Sequence, residues 1–500
     1  MGHDGAEADG QRLRAVAITP DPLIIDNASE GFDRRFRRRS ARYVFSFAQS
    51  LILTGMIAGG AWAAHAFPDA SWSIAHAAVF ALFAAAILWR LFAAASLAPV
   101  RSKLFSPGRG ESWPTYSLLC PLHREADVVF DLVAALDKLD YPRDALDIQL
   151  LVEADDPDTI TAALAAASGD HIEVVIAPKR APRTKPKALN IGLARARGEF
   201  LAVFDAEDRP HPAQLRAAVA AFRAGGEALA CVQAPLVIDN AAASWIARQF
   251  AAEYAIQFGE VLPLLARLRL PLPLGGTSNH FRTAALRQCG GWDPYNVTED
   301  ADLGYRLARH GCSMDVIAPP TWEEAPVTLS AWLKQRTRWI KGHVQTWLVL
   351  MRDPLGSARE MGWRAFLSMH LVLGGGVLAS LLHAPLALAL AYTLLAHVDL
   401  LGPADFILAL CGYVVAVFAA LTASALSGDL SHARAAPTMP FYWPLATLSA
   451  TWALLDLVVR PHYWAKTRHG VSPRARFPFR RTLQSVRLSN SQNASTSASA

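Results

Sequence analysis

Apolar runs of membrane length stand toward both ends of this chain, with a mixed polar stretch between them. The runs fall at 43–64 and 72–97, then at 366–382, 385–401, 404–427 and 439–459. A bilayer core of about 30 Å asks for about 20 apolar residues in a helix rising 1.5 Å per residue. The runs at 366–382 and 385–401 part only at His383-Ala384-Pro385. One helix covering both would measure about 50 Å, too long for one crossing, so two crossings are expected there. Basic residues flank each block. Arg34, Arg35, Arg37, Arg38, Arg39 and Arg42 precede the first, and Arg101, Lys103 and Arg109 follow it. Arg352, Arg359 and Arg364 precede the second, and Arg460, Lys466, Arg468, Arg474, Arg476, Arg480 and Arg481 follow it. Positive flanks mark cytoplasmic ends, so each block should hold an even number of spans: two, then about four within 363–460, six in all.

Composition agrees with a membrane protein that carries a soluble domain. The chain is 52% hydrophobic and 18% charged over 500 residues, too apolar for an ordinary soluble protein and too charged for a bare bundle of spans. The net charge of +5 is concentrated at the flanks, and no basic stripe with interleaved aromatics appears. No nucleic-acid partner is therefore expected. Cys120, Cys231, Cys289, Cys312 and Cys411 are scattered without metal-binding or paired spacing and read as reduced thiols. The first forty residues lack the apolar core of a signal peptide. Residues 1–42 read as a disordered basic segment, and 461–500 as a basic and then disordered tail.

The middle has a different rhythm. Short strand-like runs at 116–120, 148–152, 174–176, 200–204 and 230–233 alternate with Ala-rich helical stretches. That alternation predicts an α/β domain over 99–325 with a mostly parallel sheet, inserted between the transmembrane helices. Ligands of such sheets bind at the carboxyl ends of the strands. Three polar strings fall there: 121–125 ending in Glu125, then Glu153-Ala154-Asp155-Asp156, then Asp205-Ala206-Glu207-Asp208. Two acidic clusters on one edge repel each other unless a cation joins them. A divalent ion held by one or two carboxylates and by substrate phosphates meets that need.

Downstream come Gly275-Gly276, Gly290-Gly291-Trp292-Asp293 and Thr298-Glu299-Asp300. Thr298 suits a helix N-cap with acids in the first turn. Gly275-Gly276 either lets backbone approach a ligand or forms a plain turn. Over 329–350, Leu329, Leu333, Ile340, Val344 and Trp347 make an apolar stripe. Together with the flanking residues this predicts amphipathic interfacial helices over 326–362. Gln335, Arg338 and Trp339 are three and four apart and share one neighbourhood of the helix. Arg338 offers a planar fork for phosphate, Trp339 a flat face for a ring, and Gln335 hydrogen bonds for hydroxyls.

Asp205-Ala206-Glu207, Thr298-Glu299-Asp300 and Gln335-Arg336-Thr337-Arg338-Trp339, in this order between apolar blocks, resemble inverting family-2 glycosyltransferases of the GT-A fold, such as cellulose synthase. The resemblance covers about residues 114–350 and implies a Rossmann-like cytosolic domain at a bacterial inner membrane. It implies Asp300 as the base that deprotonates the acceptor. It implies Glu125, Asp155, Asp156, Lys187, Asp205 and Arg338 around a nucleotide sugar, with UDP-glucose the first candidate. Gln335, Trp339 and Glu299 then face a glycan acceptor. Asp205 and Glu207 hold Mg2+ or Mn2+, with Asp208 an alternative second ligand. Here the second acid is a glutamate where the family's pattern has aspartate. A growing β-linked polysaccharide is the expected product, with export subunits as possible partners. Single transfer to a lipid, as in enzymes of the ceramide-glucosylating type with a similar motif, is the alternative. A non-catalytic part of a polysaccharide export system is the remaining one.

Overall fold

In a computed structural model of the chain, residues 17–96, 99–464 and 470 are described. The remaining residues, which include most of the basic tail expected to be disordered, lie outside that set. The central layer is an eight-stranded sheet. Its strands are β1 (Ala17–Ile18), β2 (Tyr116–Leu122), β3 (Leu146–Glu153), β4 (Ile172–Ala177), β5 (Phe200–Val203), β6 (Leu229–Gln233), β7 (Asn279–Arg282) and β8 (Ser313–Val316), in the order β1-β4-β3-β2-β5-β7-β6-β8. All neighbours are parallel except β7, which runs antiparallel between β5 and β6. β2, β3, β5 and β6 are nearly or fully buried, as strands covered on both faces must be, and so read as almost unbroken apolar runs.

Twelve helices are named here. α1 (Phe47–Ala66) and α2 (Pro68–Ala95) come first. α3 (Val129–Leu136), α4 (Pro157–Ala166), α5 (Lys185–Arg195), α6 (Gln214–Gly225), α7 (Trp245–Ile256) and α8 (Glu299–Arg309) belong to the α/β domain. α9 (Leu329–Leu350) follows, then α10 (Trp363–Ala396), α11 (Pro403–Ser427) and α12 (Leu445–Val459). Gly192 lets α5 lie close on the sheet, since a Cβ there would stand 2.8 Å from Leu119 Cδ2.

The N-terminal expectation needs correcting over 17–42. This stretch is a folded strap. It adds β1 to the sheet edge beside β4, then makes short helical turns. Phe32 is 3% exposed and lies under the Arg306 guanidinium, 4.6 Å from the ring centroid. Ser40 Oγ and the Ala41 amide both donate to Asp293, at 3.2 and 2.5 Å. Composition hid the strap because its apolar anchors are few, and the pocket that receives Phe32 is made by distant sequence.

The membrane expectation changes as well. Among the described residues four helices are long and apolar enough to cross a membrane: α1, α2, α10 and α11. A fifth candidate exists only if the bent pair Ser431–Tyr442 and Leu445–Val459, at 61°, counts as one span. The six expected spans become fewer for two reasons. First, 366–382 and 385–401 do not form two spans; α10 runs unbroken from 363 to 396, past Pro385. Thr447 makes this possible. Its hydroxyl accepts from the Ala384 amide at 3.0 Å and donates to the Ser380 carbonyl at 2.7 Å, standing inside the ladder that proline disturbs. Second, α12 lies lengthwise on α9. Ser449 meets the Leu333 carbonyl at 3.5 Å, Ile340 packs on Ala450 and Ala453, and Lys341 donates to the Arg460 carbonyl at 3.1 Å. α9 itself is fastened to the α/β domain, with Gln345 Oε1 accepting from the Val297 amide at 3.1 Å. α12 is thus packed along α9, with Val377 and Leu381 of α10 on the same cluster.

Candidate functional site

The carboxyl ends of β3 and β5, the start of α8 and the middle of α9 enclose one site. After β5 the chain turns through 205–208. Asp208, 1% exposed, folds under the turn and accepts from the Asp205 amide at 2.7 Å and from the Thr277 hydroxyl. Burial, with the carboxylates of Asp205, Glu207 and Glu323, pushes Asp208 well above the usual carboxylate range. Asp205 and Glu207 line the cavity, so of the two acids considered for a second metal contact, Glu207 is the one that faces it.

Lys185 opens α5 and reaches across. Its Nζ lies 2.5 Å from Asp205 Oδ1 and donates to the Gly276 carbonyl at 2.7 Å. Burial works against its charge, but Asp205, Glu299 and Asp300 outweigh that and hold it protonated. A Cβ on Gly276 would stand 3.2 Å from Asp300 Oδ2, 3.6 Å from Lys185 Nζ and 3.9 Å from Asp205 Oδ2. Asp205 and Asp300, far apart in sequence, thus face one point. The glycine is there because any side chain would fill it.

Asp300 and Glu299 lie in the first turn of α8. Burial raises the proton affinity of Asp300, while Lys185 and then Arg338 oppose the rise. Glu299, 2% exposed, is pushed up to about 8 by burial and by Asp300. A base with raised affinity takes a proton more readily at neutral pH. Thr298 holds the N-cap position without a side-chain cap bond. It packs instead against Gly342 of α9, where a Cβ would lie 2.2 Å from Thr298 Oγ1. Asp302 turns away and pairs with Arg306 at 2.6 Å.

From α9, Gln335, Arg338 and Trp339 all line the same cavity. Arg338 donates to the Val297 carbonyl at 3.1 Å, and its guanidinium lies 4.4 Å from the Trp464 ring centroid. Trp339 stacks near Tyr254 at 6.3 Å and Phe250 at 5.8 Å. Arg336, which the sequence reading gave no role, pairs through both nitrogens with Glu253, one contact being 2.7 Å. That pair fixes the turn of α9 carrying Trp339.

Three expected donor contacts lie elsewhere. Lys187 is fully buried, bonded to Glu153 at 3.2 Å and to the Pro178 and Arg180 carbonyls. It braces the loop before α5. Two residues on a helix point about 200° apart, so only one of Lys185 and Lys187 can face the site. Asp155 pairs with Arg183. Asp156 caps α4, accepting from the Thr159 amide at 3.4 Å and from the Arg124 amide. None of these three lines the cavity, whereas Glu125, Glu153 and Arg183 do. The missed residue, Lys185, carried no signal beyond its place at the head of a helix after a strand.

The cavity measures about 1330 Å³ and does not stop at the domain. It continues past Arg90 and Trp443 between α2, α10 and α11 to His76 and Asp405, which meet at 2.7 Å. His76 lies about 20 Å from Arg90 along α2. Among the described residues no three of His, Cys, Asp and Glu gather into a self-sufficient metal site. Asp205 and Glu207 offer two carboxylates, which suits a cation whose other ligands are substrate phosphates.

Residues 114–342 match the family described as glycosyltransferase like family 2. The chain is 30% identical over 240 residues to "Probable glycosyltransferase YdaM" of Bacillus subtilis, covering 46% of this chain and 55% of that protein. It is 26% identical over 337 residues to "Beta-monoglucosyldiacylglycerol synthase" of Synechocystis, covering 63% and 68%. It is 26% identical over 257 residues to "Probable glucomannan 4-beta-mannosyltransferase 7" of Oryza sativa, covering 51% and 43%. The chain thus spans between 43% and 68% of the length of these relatives. Among solved structures, a mannosyltransferase from Pyrobaculum calidifontis in complex with GDP-Man and Mn2+ aligns with TM-score 0.50 and 20% identity, covering 77% of this chain and 98% of that one. Sheet order and the solved neighbour agree that the α/β segment has the GT-A fold, and most of that segment matches the glycosyltransferase family 2 model.

Proposed function

We propose that this protein transfers a hexose from a nucleotide sugar, UDP-glucose in the first instance, with inversion, to a lipid acceptor at the inner membrane of a bacterium, with its catalytic domain in the cytoplasm. The observation that carries the lipid acceptor is the single cavity joining Asp300 to the space between apolar helices. Beyond Arg90 its wall is Phe80, Phe83, Ile87, Leu386, Leu390 and Leu408, which suits hydrocarbon.

The chemistry follows from the residues. The acceptor hydroxyl gives its proton to Asp300 as its oxygen bonds to the anomeric carbon. The bond from that carbon to the diphosphate oxygen breaks on the opposite side. Lys185 and Arg338 balance the charge of the departing diphosphate. Asp205 and Glu207 would hold Mg2+ or Mn2+, which supplies further charge neutralisation when bound. Gln335 and Trp339 orient the sugar and acceptor.

A growing β-linked polysaccharide is the second reading. Gln335, Arg338 and Trp339 along the cavity favour it. The test is incubation of purified full chain in lipid with a panel of radiolabelled nucleotide sugars, followed by extraction and sizing. One labelled glycolipid supports the first reading. A ladder of long, solvent-insoluble polymer overturns it in favour of the second.

A further inference from the structure

Arg90 is a fixed charge at the boundary between the catalytic chamber and the hydrocarbon arm. It projects from α2 into the cavity wall, with its guanidinium carbon 4.9 Å from the Trp443 ring centroid. Among the described residues no ion pair or hydrogen bond engages it. The carboxylates that act on it from farther away are Glu253 and Glu260. Neither forms an ion pair with it. Glu253 is taken by Arg336 and by the Tyr442 hydroxyl at 2.9 Å. Glu260 accepts from the Thr422 hydroxyl at 2.5 Å through Oε1, and its buried Oε2 has no hydrogen-bond partner. An arginine on an apolar helix is costly unless something neutralises it, and such residues mark sites.

The neighbourhood is built for a headgroup. Trp443 stacks on Tyr413 at 5.5 Å and meets His383 at 5.6 Å, and His383 Nε2 is 3.2 Å from the Tyr413 hydroxyl. These amphipathic rings form one cluster that Arg90 joins at Trp443, where polar chamber gives way to hydrocarbon, the depth at which lipid headgroups sit. Nor does Arg90 duplicate Arg338. The acids acting on Arg338 are Glu299, Asp300 and Asp205, the donor-site set, and none of them is among those acting on Arg90.

We propose that Arg90, at the edge of the Trp443, Tyr413 and His383 cluster, binds the phosphate group of a lipid whose chains occupy the intramembrane arm of the cavity. The proposal deepens the lipid-acceptor reading and rests on it only for the role of the bound lipid. A guanidinium suits a phosphate, with two parallel N–H donors for two oxygens.

The test compares phosphatidic acid with diacylglycerol of the same chains, binding to purified full chain in neutral detergent. The two probes differ by the phosphate alone. Wild type should prefer phosphatidic acid by tenfold or more, and Arg90→Gln should remove most of that preference while Arg90→Lys keeps part of it. Equal binding of the two lipids by wild type overturns the proposal, whether or not the variants fold. An undiminished preference in a folded Arg90→Gln protein overturns it too. The transfer assay with phosphatidylglycerol and diacylglycerol separates the two sources of the phosphate. Label on phosphatidylglycerol means that the phosphate belongs to the acceptor; label on diacylglycerol, stimulated by phosphatidylglycerol, means a bystander lipid. Either result supports the subsite. Polymer product with the binding preference intact removes the acceptor reading alone, and glycolipid product without the preference removes this proposal alone.

Discussion

In the proposed reaction Asp300 takes a proton inside a buried, cation-balanced pocket. Asp300→Asn should lower transfer by about 10²-fold or more, the span general-base removal commonly covers, and leave donor binding in place. Transfer rates and nucleotide affinity of one preparation check this, and lost affinity would contradict the assignment. The pH dependence has a definite sign. Asp300 must be ionised to act, and its affinity is raised, so activity is present at higher pH and falls as pH drops through the raised pKa. Lys185 opposes that rise. Lys185→Met should therefore move the acid limb of the rate profile to higher pH, besides slowing the reaction. A profile measured from about pH 5 to about pH 9 that keeps its acid limb would remove Lys185 from this role. That Asp205, Asp300, Arg338 and Trp339 share one cavity was legible in the sequence because chemistry restricts the residue types at such a site. That Lys187 lies outside the cavity was hidden because composition does not report helix phase, and that Asp155 and Asp156 do because a capping acid and a ligand acid look alike in sequence.

The elements meet with little tolerance. α9 crosses the start of α8 at Gly342, where even one added carbon would overlap Thr298. Gly342→Ala should cost about 1–3 kcal/mol in overpacking and displace the Arg338 turn from Asp300. Activity should fall further than the folded fraction does. Adding Thr298→Gly removes all three opposing atoms, Oγ1, Cγ2 and Cβ, so the double variant should recover, as expected of coupled neighbours. Thermal unfolding and initial rates of the four proteins check this, and additive losses would exclude a steric cause. Strand positions in the α/β domain were readable because parallel strands are continuous apolar runs. The strap at 17–42 was not, since its stability is supplied by Arg306 and Asp293 from elsewhere. The passage of α10 through Pro385 was equally hidden, because the hydroxyl that mends it comes from Thr447.

Across the whole molecule, the count of crossings decides which loops share a face. Six spans would put 399 on the catalytic side and 429 opposite. With α10 and α11 as the C-terminal crossings and α12 on α9, the two exchange places. Single cysteines at Asp399 and Asp429, in a chain freed of exposed Cys411, can be labelled in sealed vesicles with a membrane-impermeant reagent. Asp429→Cys should label together with Lys138→Cys on the α/β domain, and Asp399→Cys from the other side. The reverse pattern would restore six spans.

A chamber that runs from Asp300 to the space between apolar helices changes, under the proposed lipid-acceptor function, how supply should be measured. A reactant resident in the leaflet arrives by lateral diffusion and never has to be lifted into water. Its working concentration is then its share of the surface. Turnover should follow mole fraction in the vesicle and stay level when more vesicles of the same composition are added.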